Sequence, residues 1–153
     1  GKANKPAVTI TDSSGKVISK LYYTVSYSNN IKPGYAEVKV KFKKLYKGIM
    51  NKKFIIKPAK VKLSKIVNQK GRMIKITWEK SKGVGGYEIW YANDKKLKKG
   101  RKIMDVKASS KAITIKKLSK NKTYYVKIRG YKKINKRKVY GAWSKRKSVK
   151  ITK

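Results

Sequence analysis

The sequence predicts an all-β protein, an antiparallel β-sandwich preceded by a smaller β-module. Three observations carry this reading. Apolar residues recur with period 2 along most of the chain, the repeat of a strand with one buried face. Short clusters of Gly, Asn, Ser and Lys interrupt these runs, as turns do. No stretch shows the periodicity of an amphipathic helix.

Before Pro58, strands are expected over 7–11 (AVTIT), 23–28 (YTVSYS), 35–42 (YAEVKVKF) and 52–57 (KKFIIK). DSSGK, SNNIKPG and YKGIMNK read as the turns between them. Pro58 punctuates the chain and the pattern restarts. We therefore read a small module over 1–58 and a second domain over 59–153. Seven strands are expected in the second domain: KVKLSKI, MIKITWE, GYEIWYA, KIMDVK, KAITIKKL, YYVKIRGYKK and KVYGAWSKRKSVKI. That number of short strands, with polar turns between them, suits a two-sheet antiparallel sandwich. A single barrel over the whole chain fits less well, because the second segment is complete alone.

Alternation sorts these strands into faces. Ile74, Ile76 and Trp78 should point inward, as should Tyr87, Ile89 and Tyr91. Ile113, Ile115, Tyr124, Val126 and Ile128 should join them. Lys75, Thr77, Glu88, Trp90, Tyr125, Lys127, Arg129 and Tyr131 should face solvent.

Several residues carry a family resemblance. They are ITW ending at Trp78, GYEIWY with Tyr87, Ile89 and Tyr91, LSKNKTYYVKIRGY with Leu118 and Tyr124, and GAWS with Trp143. On these, 59–153 resembles a bacterial fibronectin type III domain. The resemblance implies a fibronectin type III-like β-sandwich. It also implies that Trp78 is the core tryptophan of the second strand and Tyr124 the tyrosine of the corner before the sixth. PAVTITDSSGKVIS, YYTVSYSNN and GYAEVKVKF resemble the small immunoglobulin-like modules that precede such domains in Gram-positive surface proteins. An extracellular or bacterial cell-surface location follows from that resemblance. The first strand of the module is expected to be missing, leaving an open edge. The opening on Gly-Lys is compatible with a processed or cloned fragment. These folds serve as spacers, binders and adhesive modules alike, so the family does not decide function. RGY at 129–131 lacks the acid of an Arg-Gly-Asp adhesion signal.

Charge is the feature that does point to function. The chain has 45 Lys and Arg against six acids, Asp12, Glu37, Glu79, Glu88, Asp94 and Asp105, for a net charge of +39. Small soluble domains usually lie within about 2 to 8 charges of zero. So large an excess repels itself, and a bound anion layer would relieve it. Its aromatic and β-branched content sets the chain apart from disordered basic tails. The excess divides as +11 over 1–58 and +28 over 59–153. A lysine-rich composition alone would ordinarily bring Glu with it, and surfaces mix both signs. Lysines cluster at 42–47 (FKKLYK), 94–102 (DKKLKKGRK) and 131–150. The run Lys95, Lys96, Leu97, Lys98, Lys99 resembles linear heparin-binding motifs, and such clusters also serve as nucleic-acid patches.

The absence of His and Cys removes triads built on those residues, zinc sites of the usual ligands, thiolate catalysis and disulfides. A carboxylate pair would have to come from Glu79, Glu88 and Asp105, and the lysines around them favour ion pairs instead. KGVGG (82–86) precedes a strand rather than a helix, so it lacks the context of a phosphate loop. No catalytic residue, metal or cofactor is expected, and no apolar run reaches the ~18 residues of a membrane span.

The expected function is non-enzymatic binding of a sulfated polysaccharide such as heparin or heparan sulfate, driven by counterion release. The expected contacts are Lys127, Arg129, Lys132, Lys133, Lys136, Arg137, Lys138, Lys145, Arg146 and Lys147. Lys95, Lys96, Lys98, Lys99, Arg101 and Lys102 form a second patch on neighbouring strands or loops of the same sheet. Nucleic acid is the alternative, although Arg is scarce and no recognised nucleic-acid motif is present. A surface spacer anchored to anionic cell-wall polymer such as teichoic acid is another. Attachment to anionic membranes lacks an amphipathic helix. Trp143 has two readings, a cation–π ladder with Lys127 or Arg129 and a stacking platform for a sugar or base; Trp90 has the same two, with a neighbouring Lys stem as its partner in the first.

Overall fold

The alternation seen in the sequence becomes eleven strands and no α-helix in this computed structural model, which describes residues 2–152. The chain divides into two units, the first ending at Ile56 and the second beginning at Lys57.

The first unit is an antiparallel sheet of β1 (Tyr23–Ser28), β2 (Gly34–Phe42) and β3 (Ile49–Ile56), with β2 central. Tyr23 and Val40 on this sheet pack with Ile10 and Ile18 from the preceding segment. The strand expected over 7–11 does not form. One bridge, Thr11 to Val17, closes a tight turn instead. The Asp12 carboxylate accepts the Ser14 and Lys16 backbone N–H groups at 2.9 and 3.0 Å and the Ser14 hydroxyl at 2.7 Å. Such local side-chain bonds compete with a strand ladder. β3 starts at Ile49, earlier than expected, because pairing with Lys41 overrides the loop signal of YKGIMNK.

The second unit contains β4 (Leu63–Gln69), β5 (Met73–Trp78), β6 (Gly86–Ala92), β7 (Lys102–Lys107), β8 (Ala112–Ile115), β9 (Thr123–Ile134), β10 (Arg137–Tyr140) and β11 (Lys147–Lys150). One sheet has the order β4-β5-β8. The other has the order β10-β9-β6-β7, and β11 also pairs with β9. All pairings are antiparallel. The core is the one that alternation predicts: Ile74, Ile76, Trp78, Tyr87, Ile89, Tyr91, Ile115, Val126 and Ile128 are buried in one cluster. Ile113 and Tyr124 are half-buried at its margin. Trp78 and Tyr87 meet edge to face, with centroids 5.4 Å apart. Each fully buried apolar side chain contributes about 1.5–3 kcal/mol of transfer free energy. The Tyr124 hydroxyl accepts the Ser119 backbone N–H at 3.1 Å, pinning the corner into β9.

The last expected strand is divided in two. Between β10 and β11 the chain still follows β9, with Gly141 N–H donating to the Gly130 carbonyl and Ser144 N–H to the Ile128 carbonyl. Gly141 lies against Pro58, and a Cβ at 141 would run into the Pro58 carbonyl. The second unit, which begins at Lys57, includes Pro58.

Two residues assigned to the solvent face are buried, Glu88 and Tyr131. Gly86, opposite Tyr131, has no side chain, and the tyrosine hydroxyl occupies the place its Cβ would take. Glu88 is enclosed by partners described below.

Candidate functional site

The outer face of the β10-β9-β6-β7 sheet holds the main cluster of aromatic and cationic side chains. Strand register puts Trp90 opposite Lys127 and Glu88 opposite Arg129. The irregular segment after β10 brings Trp143 beside them. Trp90 and Trp143 have ring centroids 4.5 Å apart. The Lys127 ammonium lies 4.4 Å from both rings. The Arg129 guanidinium lies 4.3 Å from the Trp143 ring and 3.5 Å from the Tyr140 ring. The Arg101 guanidinium lies 3.8 Å from the Trp90 ring, and Lys138 lies 4.6 Å from the Tyr131 ring. Cation and ring thus alternate across the face, the arrangement in which each quadrupole attracts a neighbouring charge. Of the two readings of Trp90 and Trp143, the ladder is the one observed.

The acids on this face are all engaged. Glu88 Oε1 accepts Arg129 Nε–H and Nη2–H at 3.0 and 2.7 Å, and Oε2 accepts the Tyr140 hydroxyl at 2.9 Å. Burial, followed by the bond to Glu88, pushes the Tyr140 hydroxyl above its ordinary value. Asp105 pairs with Lys138 and holds its ammonium above the usual lysine value. On the other sheet Glu79 pairs with Lys62 at 2.6 Å. All three acids that strand position had offered as a carboxylate pair are therefore in separate ion pairs. Among the described residues, no three acidic side chains gather as metal ligands would.

The segment from Asp94 to Lys102 is a built loop rather than a free basic run. Asp94 accepts the backbone N–H groups of Lys98 and Lys99 at 2.7 and 3.1 Å, and that of Lys96 at 3.3 Å. These bonds, chiefly those from Lys98 and Lys99, hold its carboxyl below the ordinary range. Leu97 adopts the left-handed conformation, with φ of 55°, and is buried. A bulky residue rarely adopts that conformation, so the buried side chain holds the turn. Lys95, Lys96, Lys98, Lys99, Arg101 and Lys102 all remain exposed.

The structure regroups the expected contacts. β6 runs antiparallel to β9, so the 94–102 loop lies at the Tyr125 end of β9, where Lys147 pairs with Val126. Lys127, Lys145, Arg146 and Lys147 therefore belong with the loop. Arg146 lies 5.4 Å from the Tyr125 ring and donates to the Lys95 carbonyl. Lys132, Lys133, Lys136 and Arg137 lie toward the β9–β10 turn, at the opposite end. Arg129 occupies the middle and is paired with Glu88, while Lys138, opposite Lys133 at the turn end, is paired with Asp105. Lys145 and Lys147 also line a groove of about 440 Å³ with Lys60, Val61, Lys62 and Leu63. The FKKLYK cluster lies in the first unit, where Phe42, Tyr46 and Tyr22 pack together and Lys44 lies 5.9 Å from the Tyr22 ring.

No protein-family model matches the chain, and no curated protein matches it. Solved structures do. The sixth fibronectin type III domain of human fibronectin type III domain containing protein 3 aligns with a TM-score of 0.50 at 16% identity, covering 62% of this chain and 86% of that one. The chicken CNTN1 FN1–FN3 domains align with a TM-score of 0.51 at 18% identity, covering 82% of this chain and 44% of that one. The fold is fibronectin type III-like. Identities this low establish the fold alone, so function has to be argued from the site.

Reading the sequence missed Arg101 on Trp90, Tyr140 on Glu88 and Arg146 on Lys95. The Trp90–Lys127 and Glu88–Arg129 pairs follow once β6 is set beside β9, and so were within reach of the fold. The contacts of Arg101 and Arg146 depend on irregular segments, for which the sequence carries no register signal.

Proposed function

We propose that this chain is a non-enzymatic binder of linear polyanions, with sulfated glycosaminoglycan such as heparin or heparan sulfate the preferred class. One observation carries the reading. Among the described residues, every acid near the cationic face is held by a partner, and the exposed Lys and Arg side chains around it have no acid of their own. Lys and Arg side chains on the sheet would displace the cations condensed on a bound polyanion, and their release supplies affinity. The rigid sheet holds its charges in rows about 4.8 Å apart between strands. The extracellular, bacterial-surface setting belongs to the same proposal, as does an immunoglobulin-like first unit.

Nucleic acid and cell-wall polymer such as teichoic acid present the same charge. The ladder argues against base stacking, because the Trp90 and Trp143 rings already carry cations. The test is a salt-dependent titration with heparin, chondroitin sulfate and duplex DNA. Saturable heparin binding that outcompetes both others at physiological salt is the expected result. Equal binding to all three, collapsing together as salt rises, would replace this function with that of a generic cationic spacer.

A further inference from the structure

The five arginines of the chain are not spread evenly. Arg101, Arg129 and Arg146 converge with Lys127 at the Trp90 end of the sheet. Arg129 is neutralised by Glu88. Arg101, Lys127 and Arg146 are left, each lying against a ring: Arg101 on Trp90, Lys127 beside both Trp90 and Trp143, Arg146 beside Tyr125. The bond from Arg146 to the Lys95 carbonyl ties this group to the 94–102 loop. The nearest acid in that loop, Asp94, is occupied by backbone N–H groups.

We propose that Arg101, Lys127 and Arg146 form an anchoring subsite for a single sulfate group of the polysaccharide, while the remaining lysines add only diffuse attraction. This rests on the polyanion reading above and gives it a location. Like charges gathered on one patch repel, and an anion among them relieves the repulsion. Burial, and then the charges of Arg101, Arg129 and Arg146, hold the Lys127 ammonium below its ordinary value, consistent with a crowded positive cluster. Guanidinium groups present planar donor forks that match a tetrahedral oxyanion better than a point ammonium does. Stacking on the rings immobilises these side chains before the ligand arrives, so less entropy is lost on binding. The hairpin cations Lys132, Lys133, Lys136 and Arg137 have no such support; among them only Lys132 is even partly covered.

The experiment removes equal charge from two places in the whole chain. Arg101→Gln with Arg146→Gln is compared with Lys133→Gln with Lys136→Gln, by titration with a size-defined heparin hexasaccharide at physiological salt. Tryptophan emission is read in parallel. We expect the arginine pair to weaken binding about 30-fold or more and the lysine pair by about 3-fold. We also expect the hexasaccharide to change the emission of the wild-type chain, because Trp90 and Trp143 floor the subsite. Equal losses in the two variants, or unchanged emission at saturation, would overturn the anchor while leaving polyanion binding intact. Duplex DNA binding as tightly, with the same sensitivity to the arginine pair, would overturn its assignment to sulfate. No saturable binding by the wild type would remove the function and the anchor together.

Discussion

Glu88 and Arg129 face each other across β6 and β9, and one carboxylate oxygen accepts both the Nε and Nη2 hydrogens of the guanidinium. The other oxygen takes the Tyr140 hydroxyl. A buried charge so fully bonded is costly to expose to a lost partner. Glu88→Gln would leave Arg129 uncompensated among other cations. We expect a loss of about 2–4 kcal/mol, read from the urea midpoint. Arg129→Met should cost a similar amount, and the double variant Glu88→Leu with Arg129→Met less than the sum. Strict additivity would show that the pair does not couple.

Trp143 links Lys127 and Arg129 to Trp90, although it comes from an irregular segment. Trp143→Ala removes one of the two rings that both cations share, Trp90 being the other. A loss of about 2–3 kcal/mol is expected, with Trp143→Phe costing about 1 kcal/mol or less. Urea is the denaturant of choice, since guanidinium would screen the cluster. A neutral Trp143→Ala would mean that Trp90 and Tyr140 hold the cations without it.

Two glycines should respond for different reasons. Gly141 has a Cβ position blocked by the Pro58 carbonyl, and at Gly100 a Cβ would make only an ordinary contact with Asn93 Oδ1 at 3.9 Å, but φ is 59°. Gly141→Ala is expected to cost about 1–3 kcal/mol through backbone displacement. Gly100→Ala should cost about 1–2 kcal/mol through conformational strain alone. The distinguishing measurement is amide-proton shift mapping by NMR. Changes should spread to Ala59 and Gly130 in the first variant and stay within the 94–102 loop in the second.

Acid should loosen the loop that carries Arg101. The Asp94 carboxyl lies below its ordinary 3.8 because the charged form accepts backbone N–H groups. Its stabilising effect is therefore complete above that unfolded value and is lost as pH falls through the lower folded one. Amide exchange of Lys96, Lys98 and Lys99, corrected for intrinsic rates, should accelerate as pH drops from about 5 to 2. In Asp94→Asn that pH dependence should flatten, and its persistence would assign it to another group.

The net charge itself should be visible in stability. With +39 on the chain, NaCl rising from about 10 mM to 500 mM should increase Tm by several degrees through screening of self-repulsion. A fall in Tm would mean that the ion pairs of Glu88, Asp105 and Glu79 outweigh the repulsion.

The sequence by itself determined the second unit's strands, its core and the sign of its surface. Ile74, Ile76 and Trp78, or Val126 and Ile128, alternate with polar residues so strictly that a one-residue slip would expose the whole set. Local pattern suffices there, because pleat and hydrophobic burial act over a few residues. It sufficed less well in the first unit, where Asp12 turned an expected strand into a bend.

Only the tertiary structure decided what covers the outer face. Period 2 places Glu88, Trp90, Lys127, Arg129 and Tyr131 on one side but cannot say that Tyr140, Trp143 and Arg101 come to lie over them. Those partners are 9 or more residues away along the chain from the side chains they touch, on β10, after Gly141 and in a loop. Their arrival buries Glu88 and splits the cations into compensated and uncompensated groups. Charge can be counted along a chain, but its neutralisation depends on distance in space. The anchor of Arg101, Lys127 and Arg146 exists only once β6, β9 and the segment before β11 are side by side.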